Sequence, residues 1–243
     1  MMSPAKASTV LRQHFTETIS TFREVVAWPL DVAPSVPDGV KHEDDVVVMV
    51  HGFFASAGVW RPMKRALMES TGSHVASFSH APGVGIDRIA RSLARLVDRI
   101  PAACRVHLVG HSLGGLVARY YVQELSGHTR VSQTISLGSP FGGTVHANPF
   151  PFLVGRDLSH RSPILQRLRA RAHEHDVPHT SFLGDGDLMV VPAESAVFPR
   201  GDVVVLPSCG HNTLLFHRES IARVVDRVRA VQEQAKRERA AHK

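Results

Sequence analysis

Five residues, Gly110-His111-Ser112-Leu113-Gly114, set a serine between two glycines at a change of structural period. Upstream lies the short apolar run Val106-His107-Leu108-Val109. Downstream, Gly115-Leu116-Val117-Ala118-Arg119-Tyr120 reads as the first turns of a helix. A strand that passes through G-x-S-x-G directly into a helix is the context of a nucleophile elbow. The tight turn lifts the serine hydroxyl clear of the sheet, and the flanking glycines relieve crowding at a strained backbone position. Such a serine offers nucleophilic attack on an acyl carbon. Its hydroxyl is a weak nucleophile near neutral pH and must pass its proton to an imidazole during attack. A carboxylate on the other ring nitrogen fixes the tautomer and stabilises the imidazolium that forms. Two N–H donors must also face the oxygen on which negative charge develops.

The elements that would hold these groups alternate along the chain. Apolar, strand-like runs fall at 46–50, 74–78, 106–109, 131–137, 179–183 and 203–206. Helix-like segments fall at 59–69, 86–100, 113–125, 162–172 and 218–234; in the second, Ile86, Ile89, Leu93, Leu96 and Val97 mark one apolar face at helical spacing. This alternation predicts an α/β fold of about six mostly parallel strands flanked by helices on both faces. A chain of 243 residues suits one such domain with a sizeable core. There is no internal repeat or low-complexity tract.

Three further stretches accompany the elbow. They are Val50-His51-Gly52-Phe53-Phe54, then Thr134-Ile135-Ser136-Leu137-Gly138-Ser139-Pro140-Phe141-Gly142-Gly143-Thr144, and last Ser208-Cys209-Gly210-His211-Asn212-Thr213-Leu214-Leu215. With them the chain resembles the α/β-hydrolase superfamily, in particular its small bacterial lipases and esterases, over roughly residues 46–225. The fold implied is a reduced α/β-hydrolase fold lacking the usual leading strands. The order implied along the chain is serine, acid, histidine. Ser112 is then the nucleophile. Of the 16 histidines, His211 is the base, because the loop after the last strand is where this fold carries it. Asp187, followed by Leu188-Met189-Val190, fits the acid position, and Asp185 reads as a turn residue before Gly186. The two lie only two residues apart, so a comparison of their variants decides between them.

The resemblance also implies an oxyanion hole of two backbone N–H groups. One belongs to Leu113 at a helix N-terminus; the other belongs to Phe53, in the His-Gly-x turn after the first strand. His51 in that turn reads as a structural hydrogen-bonder, while His107 and His111 read as packing or variable positions. Phe53 and Phe54 make the mouth of the acyl pocket apolar. The stretch 145–157, with Phe150, Phe152, Leu153 and Val154, suits either a small lid or a packed loop. The implied activity is that of a serine hydrolase cleaving carboxylic esters through an acyl-enzyme on Ser112, with no cofactor or metal. An acyltransferase or thioesterase would use the same machinery, and a non-catalytic protein binding lipid or a partner is the alternative of another class.

Composition narrows the remaining classes. The chain is 43% hydrophobic and 21% charged, ordinary values for a globular protein. Its net charge of +6 is concentrated in residues 156–171 and in the tail. No aromatic residues interleave these clusters, which argues against nucleic acid as a partner. They read as solvated helix faces, with attraction to anionic membrane lipid as the alternative. The partner expected is a small-molecule or lipid ester. Peripheral membrane contact through the N-terminal helix or basic tail stays open, as does oligomeric state. No run approaches the roughly eighteen apolar residues of a membrane span, and residues 1–10 lack a secretory pattern, so the sequence predicts a cytoplasmic protein. The two cysteines, Cys104 before one strand and Cys209 after another, fall at opposite edges of a parallel sheet. That separation of about 20 Å is beyond disulfide reach, so two free thiols are expected. Residues 1–40 form a separate segment. Leu11, Phe15, Ile19, Phe22 and Val26 make one helical stripe, and Pro29, Pro34 and Pro37 break it into a linker. That helix suits packing on the domain or a partner, or contact with a membrane or the active site, and disorder is the remaining reading. Residues 41–235 are assigned to the hydrolase domain and 236–243 to a basic tail; the final segment from Gln232 to Lys243, rich in Ala, Arg, Lys and Glu, is expected to fray.

Overall fold

The computed structural model describes residues 36–81, 83–147 and 154–241. The N-terminal amphipathic stripe, and Phe150, Phe152 and Leu153 of the candidate lid, lie outside the described residues. Six strands, β1 (Asp45–Val50), β2 (His74–Phe78), β3 (Arg105–His111), β4 (Val131–Leu137), β5 (His179–Gly184) and β6 (Asp202–Leu206), form one sheet. Its order is β2-β1-β3-β4-β5-β6, and every adjacent pair is parallel. The helices are α1 (Arg61–Thr71), α2 (Ile86–Val97), α3 (Leu113–Glu124), α4 (Val154–Leu158), α5 (Pro163–Ala170) and α6 (Arg218–Ala241). The order of strands and helices agrees with the alternation in the sequence. The short α4, inside the stretch weighed as lid or loop, does not appear in the periodicity. Its Asp157 accepts the Ile86 N–H at 3.0 Å, which caps the start of α2 and pins that end of the stretch.

β1 shows why a continuous run of Val and Met becomes a central strand. Val46, Val48 and Val50 pack on one face with α2, α3 and α5. Val47 and Met49 pack on the other with α1 and α6. Burial on both faces removes the polar alternation of a half-exposed strand. β6 is an edge strand. Its Val204 joins the core, while Val203 and Val205 are exposed. No described helix is long and apolar enough to cross a membrane. Both cysteines are buried, and neither forms a disulfide.

The basic tail does not fray at Gln232. Helix α6 runs on to Ala241, because the tail is made of strong helix formers and is tied down at several points. The Gln232 amide is buried and donates to Asp45 Oδ2 at 3.0 Å. Glu233 pairs with Arg237, and Gln234 with Glu238, at one-turn spacing. Arg239 reaches Glu43 at 2.7 Å.

Asp45 is the hub of a polar cluster at the N-terminal ends of β1 and β3. Arg105 donates to both its carboxylate oxygens at 2.7 Å. His107 Nε2–H donates at 2.9 Å, while His107 Nδ1 accepts from the Gln133 amide at 2.9 Å. Burial alone would raise the Asp45 pKa, but the hydrogen bonds from His107 and Arg105 outweigh it and hold the carboxyl well below its usual value. A carboxyl with a depressed folded-state pKa stabilises the fold above its unfolded value of about 3.8, and that contribution fades as pH falls through the folded value. Asp45→Asn is therefore expected to destabilise the protein by about 2–4 kcal/mol at neutral pH. In urea melts, the gap between variant and wild type should close progressively below about pH 4. A gap that stays constant down to about pH 2 contradicts this account.

Candidate active site

The elbow is built as its sequence requires. β3 ends at His111, Ser112 has φ 51° and ψ −117°, and α3 begins at Leu113. This positive φ in a non-glycine residue stores strain of order 1–3 kcal/mol. The turn is held by the Ser112 N–H bonding to Leu137 O at 2.9 Å. A Cβ on Gly114 would stand 2.0 Å from Val50 O, and one on Gly110 would stand 2.3 Å from the Gly114 carbonyl carbon. The two glycines thus let α3 cross directly over β1 and β3. Ser112 itself is only half-buried. Leu113 is the first helical residue, so its N–H has no acceptor within the helix, and the helix dipole favours an anion there.

The turn after β1 rests on this elbow. A Cβ built on Gly52 would lie 3.1 Å from His111 Nδ1 and 3.2 Å from Ser112 Cβ. The neighbouring Phe53 packs against the core. Phe54, with φ 57°, is 58% exposed, and its ring stands 4.0 Å from that of Phe53. His51, read from the sequence as a structural hydrogen-bonder, is buried, and its Nδ1–H donates to Gly52 O at 2.7 Å.

On the far side, His211 Nδ1–H donates to Asp187 Oδ2 at 2.8 Å, and both side chains are almost wholly buried. The other oxygen, Oδ1, accepts the Met189 N–H at 2.8 Å and the Val190 N–H at 3.0 Å. Burial would raise the Asp187 pKa, but His211 and these two N–H groups overcome it, and the carboxyl stays below its ordinary value. Asp185 is exposed, and its backbone N–H bonds to Leu206 O at 3.1 Å. The carboxylate that meets His211 is that of Asp187.

Three supporting residues were not singled out for the site from the sequence. Gly138, at the end of β4, has φ +57°, and a Cβ there would lie 3.0 Å from Asp187 Oδ2 and 3.1 Å from His211 Nδ1. Thr144, the last residue of the turn that follows, donates its hydroxyl to Met189 O at 2.7 Å and so braces the acid loop. His111 Nε2–H donates to His211 O at 3.1 Å, with the two rings 4.7 Å apart. Burial, and then the neighbouring His211, hold the His111 pKa down at about 3. It therefore stays neutral and ties the residue before Ser112 to the His211 loop. Only its place beside Ser112 could have flagged it. Four large apolar residues on the loops that carry the site are about half exposed or more: Phe54 in the turn after β1, Val145 next to Thr144, and Leu188 and Met189 directly after Asp187.

Residues 40–169 match the family described as "Putative serine esterase (DUF676)". The match spans more than half of the chain and includes Phe53, Ser112 and Leu113, but ends before Asp187 and His211. None of the curated proteins matches the sequence. Among solved structures, similarity extends to a thermophilic esterase from Thermogutta terrifontis, with TM-score 0.56 and 16% identity over 80% of this chain and 91% of that one. It extends also to the mature lipase BlEst2 of Bacillus licheniformis, with TM-score 0.54 and 15% identity over 76% and 90%. The carboxylesterase CesB of Bacillus subtilis matches with TM-score 0.53 and 16% identity over 93% and 98%. At such identities the likeness concerns the fold, which is that of the α/β-hydrolases.

Proposed function

We propose that this chain, which belongs to the DUF676 serine esterase family and is an ester hydrolase, works through an acyl-enzyme on Ser112. The reading rests on one observation above the rest. Asp187 and His211 form a buried pair across two loops, and the His211 loop is tied through its His211 carbonyl to the side chain of His111, the residue before Ser112. With Nδ1–H committed to Asp187, it is the lone pair of His211 Nε2 that would take the hydroxyl proton. As that proton moves, Ser112 Oγ bonds to the ester carbonyl carbon. The electron pair of the C=O bond shifts to oxygen, and the N–H groups of Leu113 and Phe53 stabilise the charge. Collapse of this intermediate breaks the bond to the alcohol oxygen, which takes the proton from His211. Water then attacks the acyl-enzyme by the same steps and frees the acid. The exposed apolar side chains beside the site favour an ester with an apolar acyl chain.

A fluorophosphonate probe and a series of p-nitrophenyl esters test this reading. Folded wild-type protein is expected to be labelled at Ser112, to release p-nitrophenol, and to turn over longer acyl chains better than acetate. Each methylene that becomes buried adds about fourfold to kcat/KM, from roughly 0.8 kcal/mol per group. A folded protein that takes up no label and releases no p-nitrophenol overturns the proposal.

A further inference from the structure

Two imidazoles lie behind the turn at Gly52-Phe53, outside the proposed proton relay. His80 follows β2, and its ring stacks on that of His51 at 4.1 Å and 16°. The His80 backbone N–H donates to His51 Nε2 at 3.1 Å. A backbone N–H can only donate, so Nε2 carries no proton and the neutral ring has its hydrogen on Nδ1. That hydrogen is the one given to Gly52 O. The His80 ring faces two carbonyls, His51 O from Nε2 at 3.2 Å and Ala81 O from Nδ1 at 3.3 Å; in the tautomer protonated on Nε2, the nitrogen of the shorter contact, it donates to His51 O. Two successive carbonyls of the turn are thus each held by one imidazole.

Gly52 C=O and Phe53 N–H are opposite ends of one planar trans peptide, so the direction of one fixes the direction of the other. The same holds for His51 C=O and Gly52 N–H. We propose that His51 and His80 are positioning residues of the esterase reaction. By holding the two carbonyls on the rear of the turn, they aim the Phe53 N–H at the oxygen that becomes negative. The inference rests on the esterase reading above. A hydrogen bond accepted by the Gly52 carbonyl also polarises its amide and makes the Phe53 N–H a stronger donor. The pair keeps a single arrangement near neutral pH. Burial, then the adjacent His80, press the His51 pKa to about 3, and burial also lowers that of His80. The turn is placed to exploit this, because Gly52 sits against Ser112 Cβ and His111.

The test compares His51→Ala, His51→Asn and His80→Phe with wild type, using p-nitrophenyl butyrate and an arylboronic acid. The boronic acid bonds to the serine oxygen as a tetrahedral anion and so probes the oxyanion hole directly. His51→Ala is expected to lose about 10²-fold in kcat with KM nearly unchanged, and to bind the boronate more weakly by a similar factor. His51→Asn, whose amide N–H falls near the place of Nδ1, should recover most of both. His80→Phe keeps a stacked ring and the backbone N–H but loses the bond to His51 O. It should show a smaller fall, again in kcat and boronate affinity together. Circular dichroism and melting temperature establish that each variant is folded. If His51→Ala does not fold, the other two variants carry the comparison. A packing role alone would lower melting temperature while leaving kcat and boronate affinity near wild type in the folded variants, and that result overturns the inference. So does a fall in kcat without loss of boronate affinity. Wild-type protein that neither hydrolyses esters nor reacts with the fluorophosphonate instead removes the esterase reading and this inference with it. Active wild type with indifferent histidine variants removes the inference alone.

Discussion

Ser112→Ala is expected to reduce ester turnover by about 10⁴- to 10⁶-fold and to abolish fluorophosphonate labelling. The oxygen removed is the atom that would bond to the substrate carbon, so no neighbour can replace it. What survives is catalysis by the oxyanion donors and by binding, with bulk water as the nucleophile. The fold should be unharmed, because the side chain is half-exposed and the turn is held by backbone, from the Ser112 N–H to Leu137 O. A second variant separates chemistry from strain. Alanine keeps the positive φ of 51° under steric stress, whereas glycine relieves it, so Ser112→Gly should be the more stable of the two by about 1 kcal/mol. Both variants should be equally inactive. Residual turnover above about 1% of wild type in either variant would place the nucleophile elsewhere.

That strained serine also marks how far the sequence could be read. The strands were legible because burial on both faces turns β1 into an unbroken run of Val and Met, and the chain alternates such runs with helical spacing. The elbow was legible because its glycines answer a local demand, the close crossing of α3 over β1 and β3. Features set by tertiary neighbours were not. Arg119, a charged residue in the helix after the elbow, is fully buried with its guanidinium 4.3 Å from the Phe198 ring. Burial presses its pKa down to about 9. His179 is equally hidden, with Nδ1 2.7 Å from the Thr134 hydroxyl. His80 carries no sequence signal, because its part depends on where the His51 carbonyl falls. Helix α6 outlasts its periodic pattern because Gln232 finds Asp45, a partner 187 residues away.

The acid position was the one catalytic assignment that spacing left between two residues, and the variants at Asp187 and Asp185 are expected to part widely. Asp187→Asn should lower kcat by about 10⁴-fold. Its amide can still accept the Met189 and Val190 N–H groups through oxygen, so the loop should hold. Its NH₂ would then face His211 Nδ1, which must turn acceptor and move the imidazole proton to Nε2, where the serine needs a vacant lone pair. The loss would thus arise from a wrong tautomer in an intact site, and melting temperature should change little beside kcat. Asp185→Asn, at an exposed turn residue, should stay within about threefold of wild type in activity, as surface changes usually do in stability. The depressed pKa of Asp187 adds a check on pH dependence. Its carboxylate remains charged throughout the range where an imidazole titrates, so the acid limb of kcat/KM should reflect imidazole protonation alone. A larger loss in Asp185→Asn than in Asp187→Asn would mean that the carboxylate seen against His211 is not the one that orients it during turnover.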